Sequence, residues 1–178
     1  VALGLLLVFR TNASYDRYWE GRRLLGAIVN RSRDLVRQFA AFIEDDEHRA
    51  DLRRRVSAMY FLVCQTLRKE DALDKIPLLD DQERKALATI GPGRVPVMAS
   101  WISREIAVEV KEGRLSDTKL LLMDQNLTAI IDALGGAERI VKTPIPFAYA
   151  QHIKTFVVLF CVTVPFAMAE SMRWYTPA

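Results

Sequence analysis

Apolar residues crowd the two ends of the chain, and between them they recur at spacings of three and four. Val1 to Phe9 is apolar apart from Gly4. From Arg10 the pattern turns amphipathic, and no proline or glycine pair interrupts it before Phe42. This predicts one long helix continuing out of the apolar end. Tyr15, Tyr18, Trp19, Leu25, Ile28, Val29 and Val36 form its expected apolar stripe. A second helix is expected from about Asp45 to Arg68, with Leu52, Val56, Met59, Tyr60, Val63 and Leu67 on one face. Asp71 to Leu79 reads as a connector, followed by a short helix from Asp80 or Asp81. Gly91-Pro92-Gly93 is a firm break.

Val95 to Glu112 returns to the helical period through Met98, Trp101, Ile102 and Ile106. Ser116 or Asp117 is placed to cap the next helix. That helix carries Leu120, Met123, Leu127, Ile130 and Leu134, and Gly135-Gly136 is expected to end it. Thr143-Pro144-Ile145-Pro146 then reads as a rigid extended turn, because each proline fixes its own φ and pushes its predecessor out of the helical region. Pro146 can open a last helix running through Phe147 to about Met172. Its section from Phe156 to Ala169 is apolar and contains Pro165. An interior proline suits a membrane span, where neighbours satisfy the freed carbonyl. Glu170 and Arg173 close that section, and Trp174 and Tyr175 fit an interfacial belt. Alternation of period two is short everywhere, so the fold class is all-α.

Composition sharpens this division. Hydrophobic residues are 51% of the chain and charged residues 26%, yet no stretch reaches the roughly 20 apolar residues of an uninterrupted span. The net charge of +3 and pI near 9.0 are too weak to imply nucleic acid and fit cytoplasmic flanks of membrane helices. Three segments are therefore expected: residues 1–12 as the end of a membrane helix, 13–142 as a cytosolic helical domain, and 143–178 as the proline turn with a second membrane helix. Nine residues of helix reach about 14 Å, half of a hydrocarbon core, so the first helix is expected to continue upstream. Cys64 and Cys161, among apolar neighbours, are expected as buried reduced thiols. His48 and His152 stand far apart, and neither belongs to a metal-ligand spacing. No cofactor or metal is expected.

Three groups of residues carry candidate chemistry. Val1, Leu5 and Phe9 are four apart, about 400° of helical turn, and so share one face. Such a face can form stacked apolar rings in a symmetric oligomer, or it can meet lipid and other helices. The segment from Phe9 to Arg22 is dense in aromatics and charge, and Arg10 to Arg37 holds seven arginines against three acids. Arg10, Asn12, Asp16, Arg17, Trp19 and Glu20 are its candidate network, either bridging neighbouring helices or forming a solvated interfacial belt. Ile145, held between two prolines, can project reproducibly into an aperture or lie at an ordinary loop-to-helix junction. Sequence signatures of catalysis are lacking: there is no G-x-S-x-G, P-loop or H-E-x-x-H motif. The acidic runs Glu44-Asp45-Asp46 and Asp80-Asp81 read as helix caps.

The stretch F-R-T-N-x-S-Y-D-R-Y-W-E-G-R from Phe9 to Arg22 resembles the bestrophin-like channel family, particularly its bacterial branch. Gly26, Asn30, Ser32-Arg33 and Arg37-Gln38 continue the likeness, as does Thr143-Pro144-Ile145-Pro146-Phe147 with Tyr149. The resemblance implies a pentamer with one central pore in the cell membrane, a hydrophobic neck and a helical cytosolic vestibule. It places the neck on Val1, Leu5 and Phe9, and a second constriction on Ile145. Its implied partners are further copies of the chain, the lipid bilayer and permeant inorganic ions, with no nucleic acid and no enzymatic reaction. Animal members draw a calcium clasp from an acidic cluster after the last membrane helix, and no such cluster follows here. The alternative to the channel is a membrane-attached helical regulatory module, with the arginine-rich helix of residues 10–142 binding an acidic partner.

Overall fold

The computed structural model describes residues 2–143 and 147–172, with side chains at all but positions 2, 3, 5–7, 9, 10, 147–150 and 169–172. Among them run α1 (Ala2–Phe42), α2 (Asp46–Arg68), a 3-10 turn (Leu73–Lys75), α3 (Asp81–Ala88), α4 (Arg94–Lys111), α5 (Asp117–Lys142) and α6 (Phe147–Met172). No strand occurs among the described residues. The chain forms two units, one from residues 21–141 and a smaller one from the described parts of 1–20 and 142–178.

The larger unit is a helical bundle whose core follows the helical period. Leu52, Val56, Met59 and Val63 of α2 are buried together with Met98, Ile102 and Ile106 of α4 and Met123, Leu127, Ile130 and Leu134 of α5. Each full burial of such a side chain stabilises by roughly 1.5–3 kcal/mol. On α1 the buried apolar residues among those described are Ile28, Leu35 and Phe39, while Leu25, Val29 and Val36 are half-buried. Tyr15, Tyr18 and Trp19 are instead 56%, 62% and 53% exposed. The expected single stripe is therefore two faces: Ile28, Leu35 and Phe39 recur at seven and four, a phase the aromatics do not share.

The helix ends obey local chemistry. Asp45 caps α2 by accepting from the Glu47 and His48 amides at 2.9 and 3.4 Å. Asp80 and Glu83 form a capping box on α3, so both acidic runs serve as caps. Lys69 closes α2 in the left-handed region at φ 58°, and the Glu70 amide returns to the Gln65 carbonyl at 2.9 Å, the 6→1 bond of a Schellman ending. Gly91 and Gly93 take φ of 57° and 111° at the break, where a side chain would be strained. In the connector, Arg84 donates to the Leu73, Leu79 and Ile76 carbonyls at 2.6, 3.1 and 3.4 Å. One guanidinium thus gathers three backbone carbonyls of the connector.

Gly135-Gly136 does not end α5, which continues to Lys142. Two interior glycines cost a helix about 2 kcal/mol relative to alanine, and packing offsets this. A Cβ on Gly136 would lie 3.0 Å from Leu24 Cδ2; the missing side chain lets α5 approach α1. Gly136→Val is expected to destabilise the protein by about 1–3 kcal/mol through overpacking. Gly135→Ala, with nothing within 4 Å of its added Cβ, should instead raise stability slightly, and denaturant midpoints of the two variants check the contrast.

Both cysteines are free thiols, but neither is buried: Cys64 is half-buried and Cys161 exposed. The apolar neighbours of Cys161 on α6 are themselves exposed, among them Phe160 at 43% and Val162 at 56%. The stretch Gln151–Met168 is long and apolar enough to cross a membrane, with a mean hydropathy of 1.5. Its two threonine hydroxyls are satisfied locally. Thr155 Oγ1 donates to the Gln151 carbonyl at 3.0 Å, and Thr163 Oγ1 to the Leu159 carbonyl at 2.8 Å. Pro165 lies within α6.

Candidate functional site

In the smaller unit, α1 carries the sequence-predicted residues as far as Glu20. Positions 5 and 9 stand one turn apart on that helix; their side chains, like that of Arg10, and the whole of Val1 and Ile145 lie outside the described residues. Asn12 and Asp16 are exposed and Arg17 and Glu20 half-buried. Trp19 packs edge-on against Tyr15, with centroids 6.0 Å apart and an interplanar angle of 79°, and against Tyr18 at 6.2 Å and 68°. Edge-to-face packing suits the ring quadrupole and leaves the half-exposed indole on the surface.

Arg17 reaches the residue that precedes Pro144-Ile145-Pro146 in the sequence. Its Nη1 donates to the Thr143 carbonyl at 2.8 Å, across 126 residues of sequence. Thr143 follows the last residue of α5 and precedes Pro144, which disfavours a further helical residue there. Its carbonyl belongs to the electronegative end of α5, where a cation is stabilised. Arg17 of α1 therefore holds the backbone that immediately precedes Pro144-Ile145-Pro146 in the sequence. Sequence spacing gave no sign of this contact, since a backbone carbonyl has no signature.

The larger unit holds three polar clusters that the sequence did not reveal. Arg54 grips Glu83 with Nη1 and Nη2 at 2.7 and 2.9 Å, bonds Asp51 at 2.6 Å and reaches the Leu78 carbonyl. Arg55 pairs with the same Glu83 and with Asp51, both at 3.0 Å, and with Glu105 of α4 at 3.4 Å. The hydrogen bonds that Arg54 donates to Glu83 hold its guanidinium above the ordinary arginine range. Glu109 is buried and takes two bonds from Arg114, at 2.7 and 2.8 Å, with His48 Nε2 at 3.6 Å. The Arg114 bonds hold its carboxyl below the ordinary range. Asn126 Nδ2 donates to Gln38 Oε1 at 2.9 Å, and Arg31 Nη1 donates to Asn126 Oδ1 at 3.3 Å, which ties α1 to α5.

These carboxylates are saturated by guanidinium groups, an arrangement that fixes helices rather than one that moves protons. Among the described residues no three His, Cys, Asp or Glu side chains gather as a metal site.

The profile of the Bacterial/Fungal Bestrophin protein family matches residues 1–178. The chain is 34% identical over 183 residues to a voltage-dependent anion channel-forming protein of Nostoc sp., and 35% identical over 186 residues to one of Ralstonia nicotianae. Each alignment covers 99% of this chain and 59% of the relative, so the chain spans somewhat over half of those proteins' length. Among solved structures, a point mutant of a bacterial bestrophin homolog from Klebsiella pneumoniae superposes with a TM-score of 0.92 at 30% identity, covering 99% of this chain and 66% of that one. The family profile accounts for every position of the sequence, and the chain belongs to the bacterial and fungal bestrophins.

Proposed function

We propose that this chain is the pore-proximal and cytoplasmic part of a pentameric ion channel of the cell membrane, which conducts passively along a central axis. The observation that carries this reading is the match along 99% of the chain to proteins named as anion channel-forming. In this reading residues 1–12 end the pore-lining helix, 13–142 form the cytosolic vestibule, and 143–178 supply the aperture turn and a second span. Only 6% of the stretch Gln151–Met168 is buried, which supports lipid contact for α6. Val1, Leu5 and Phe9 form the apolar neck, where water thins before ions do. Ile145 forms the cytosolic aperture. The bond from Arg17 to the Thr143 carbonyl supports a fixed approach to that turn, as a narrow opening requires. Ions cross without covalent chemistry.

The test is the full-length protein in a planar bilayer under asymmetric salt. A reversal potential displaced toward the Nernst potential of one ion is expected, and its sign identifies that ion. A pure pentamer that leaves every gradient intact would overturn the proposal. Ile145→Ala should change flux or relative permeability severalfold, equivalent to about 1 kcal/mol at the barrier. Unchanged currents would return Ile145 to an ordinary loop-to-helix junction.

A further inference from the structure

A groove of 690 Å³ runs along the larger unit between α1 and α2. Val36, Val56, Tyr60 and Phe61 form its apolar floor, and Phe61 is 43% exposed. Arg33, Arg37 and Arg53 stand around it with no acidic residue among its walls. Arg37 has an exposed pair with Asp34 at 3.6 Å; Arg33 and Arg53 have no ion pair among the described residues. An apolar trough with a mainly unpaired cationic rim is the mark of an interaction surface. It fits an apolar ridge that carries carboxylates.

The same unit offers a mixed ridge, with one large apolar residue at one end and one carboxylate at the other. On α5 the residues facing away from the core recur at four, three and four: Leu121, Gln125, Thr128 and Asp132. All are exposed, Leu121 by 57%, and Asp132 has no ion pair among the described residues. On α1, the groove residues Val29, Arg33, Val36 and Ala40 lie about 120° of helical turn from the buried Ile28, Leu35 and Phe39. The remaining third of α1 carries the exposed Arg23, Asn30 and Ala41 with the half-exposed Asp34. If that polar third faces water at the axis of a ring, the groove is turned sideways.

We propose that the α1–α2 groove receives the α5 ridge of a second copy of this chain, with Leu121 against the apolar floor and Asp132 near Arg33 or Arg53. Groove and ridge are different surfaces, so the contact is heterologous, and repeated contacts close a ring. The inference rests on the channel reading and adds which surfaces build the assembly.

Cysteine pairs test it in the detergent-solubilised full-length protein, with Cys64 and Cys161 first replaced by serine. Ala40→Cys with Leu121→Cys, and Ser57→Cys with Gln125→Cys, are treated with a short bismaleimide. A ladder of covalent oligomers from a double variant, absent from each single variant, is expected. Oligomer mass and liposome flux are measured on the same samples. An intact, conducting oligomer with no ladder from either pair overturns the interface and leaves the channel reading standing. A monomer without flux overturns both. A lipid that co-purifies with the groove and blocks Ala40→Cys labelling also overturns the interface, because the groove would then be a lipid site.

Discussion

Replacing both Leu5 and Phe9 by alanine is expected to raise single-channel conductance by about tenfold. An apolar ring resists ions because water leaves it and takes the hydration shell with it. Removing the phenyl and isobutyl groups widens each ring and shrinks its apolar surface. Tenfold corresponds to about 1.4 kcal/mol of barrier. Shared among five copies in the proposed pentamer, that is about 0.3 kcal/mol per chain, well within what one methylene contributes. Leu6→Ala is the control: its position stands about 100° round the same helix and should leave conductance near its original value. Equal effects from Leu6→Ala and the double variant would remove these two residues from the neck. Single-channel recording in planar bilayers decides between them.

Glu83→Ala should be the most damaging change in the larger unit. Its carboxylate is 7% exposed and answers both Arg54 and Arg55, and it completes the capping box on α3. Removal takes the most buried partner from two half-buried guanidinium groups, leaving them Asp51, and loosens α3 from α2. Breaking a buried pair on one side costs about 3–5 kcal/mol, a large share of the roughly 5–15 kcal/mol that holds a domain folded. The melting temperature of the full-length protein should fall by roughly 10 °C. Asp80→Ala, which removes one cap and a half-exposed partner, should cost only about 1 kcal/mol. A loss from Glu83→Ala no greater than that would show that the arginines find other partners. Glu83→Gln separates charge from shape, since the amide keeps the bulk while losing the double grip.

The regular helices were legible because burial imposes the 3.6-residue period. The faces of α2, α4 and α5 appear in the core as their spacing predicted, and acidic caps marked the starts of α2 and α3. The Phe9–Arg22 and Pro-Ile-Pro stretches also pointed to the family. The aromatics of α1 were misplaced because an aromatic is amphipathic: Tyr15, Tyr18 and Trp19 pack on one another at the surface as readily as they would in a core. Gly135-Gly136 was misread because a glycine pair means a stop only when no neighbour benefits from its missing side chains. Leu24, more than a hundred residues earlier in the chain, is that neighbour for Gly136.

By itself, then, the sequence determined the class of fold, the order of most elements, the apolar α6 and the residues by which the family is recognised. These follow from local periodicity, capping and proline geometry, which act over a few residues. Tertiary structure alone decided the long-range pairings: Arg17 with the Thr143 carbonyl, Glu83 with Arg54 and Arg55, Asn126 with Gln38, and Gly136 with Leu24. Each joins positions that no local rule couples, and two of them depend on a backbone carbonyl or an absent side chain. Such partners are chosen only when the helices pack, because burial makes an unpaired polar group or an empty space costly.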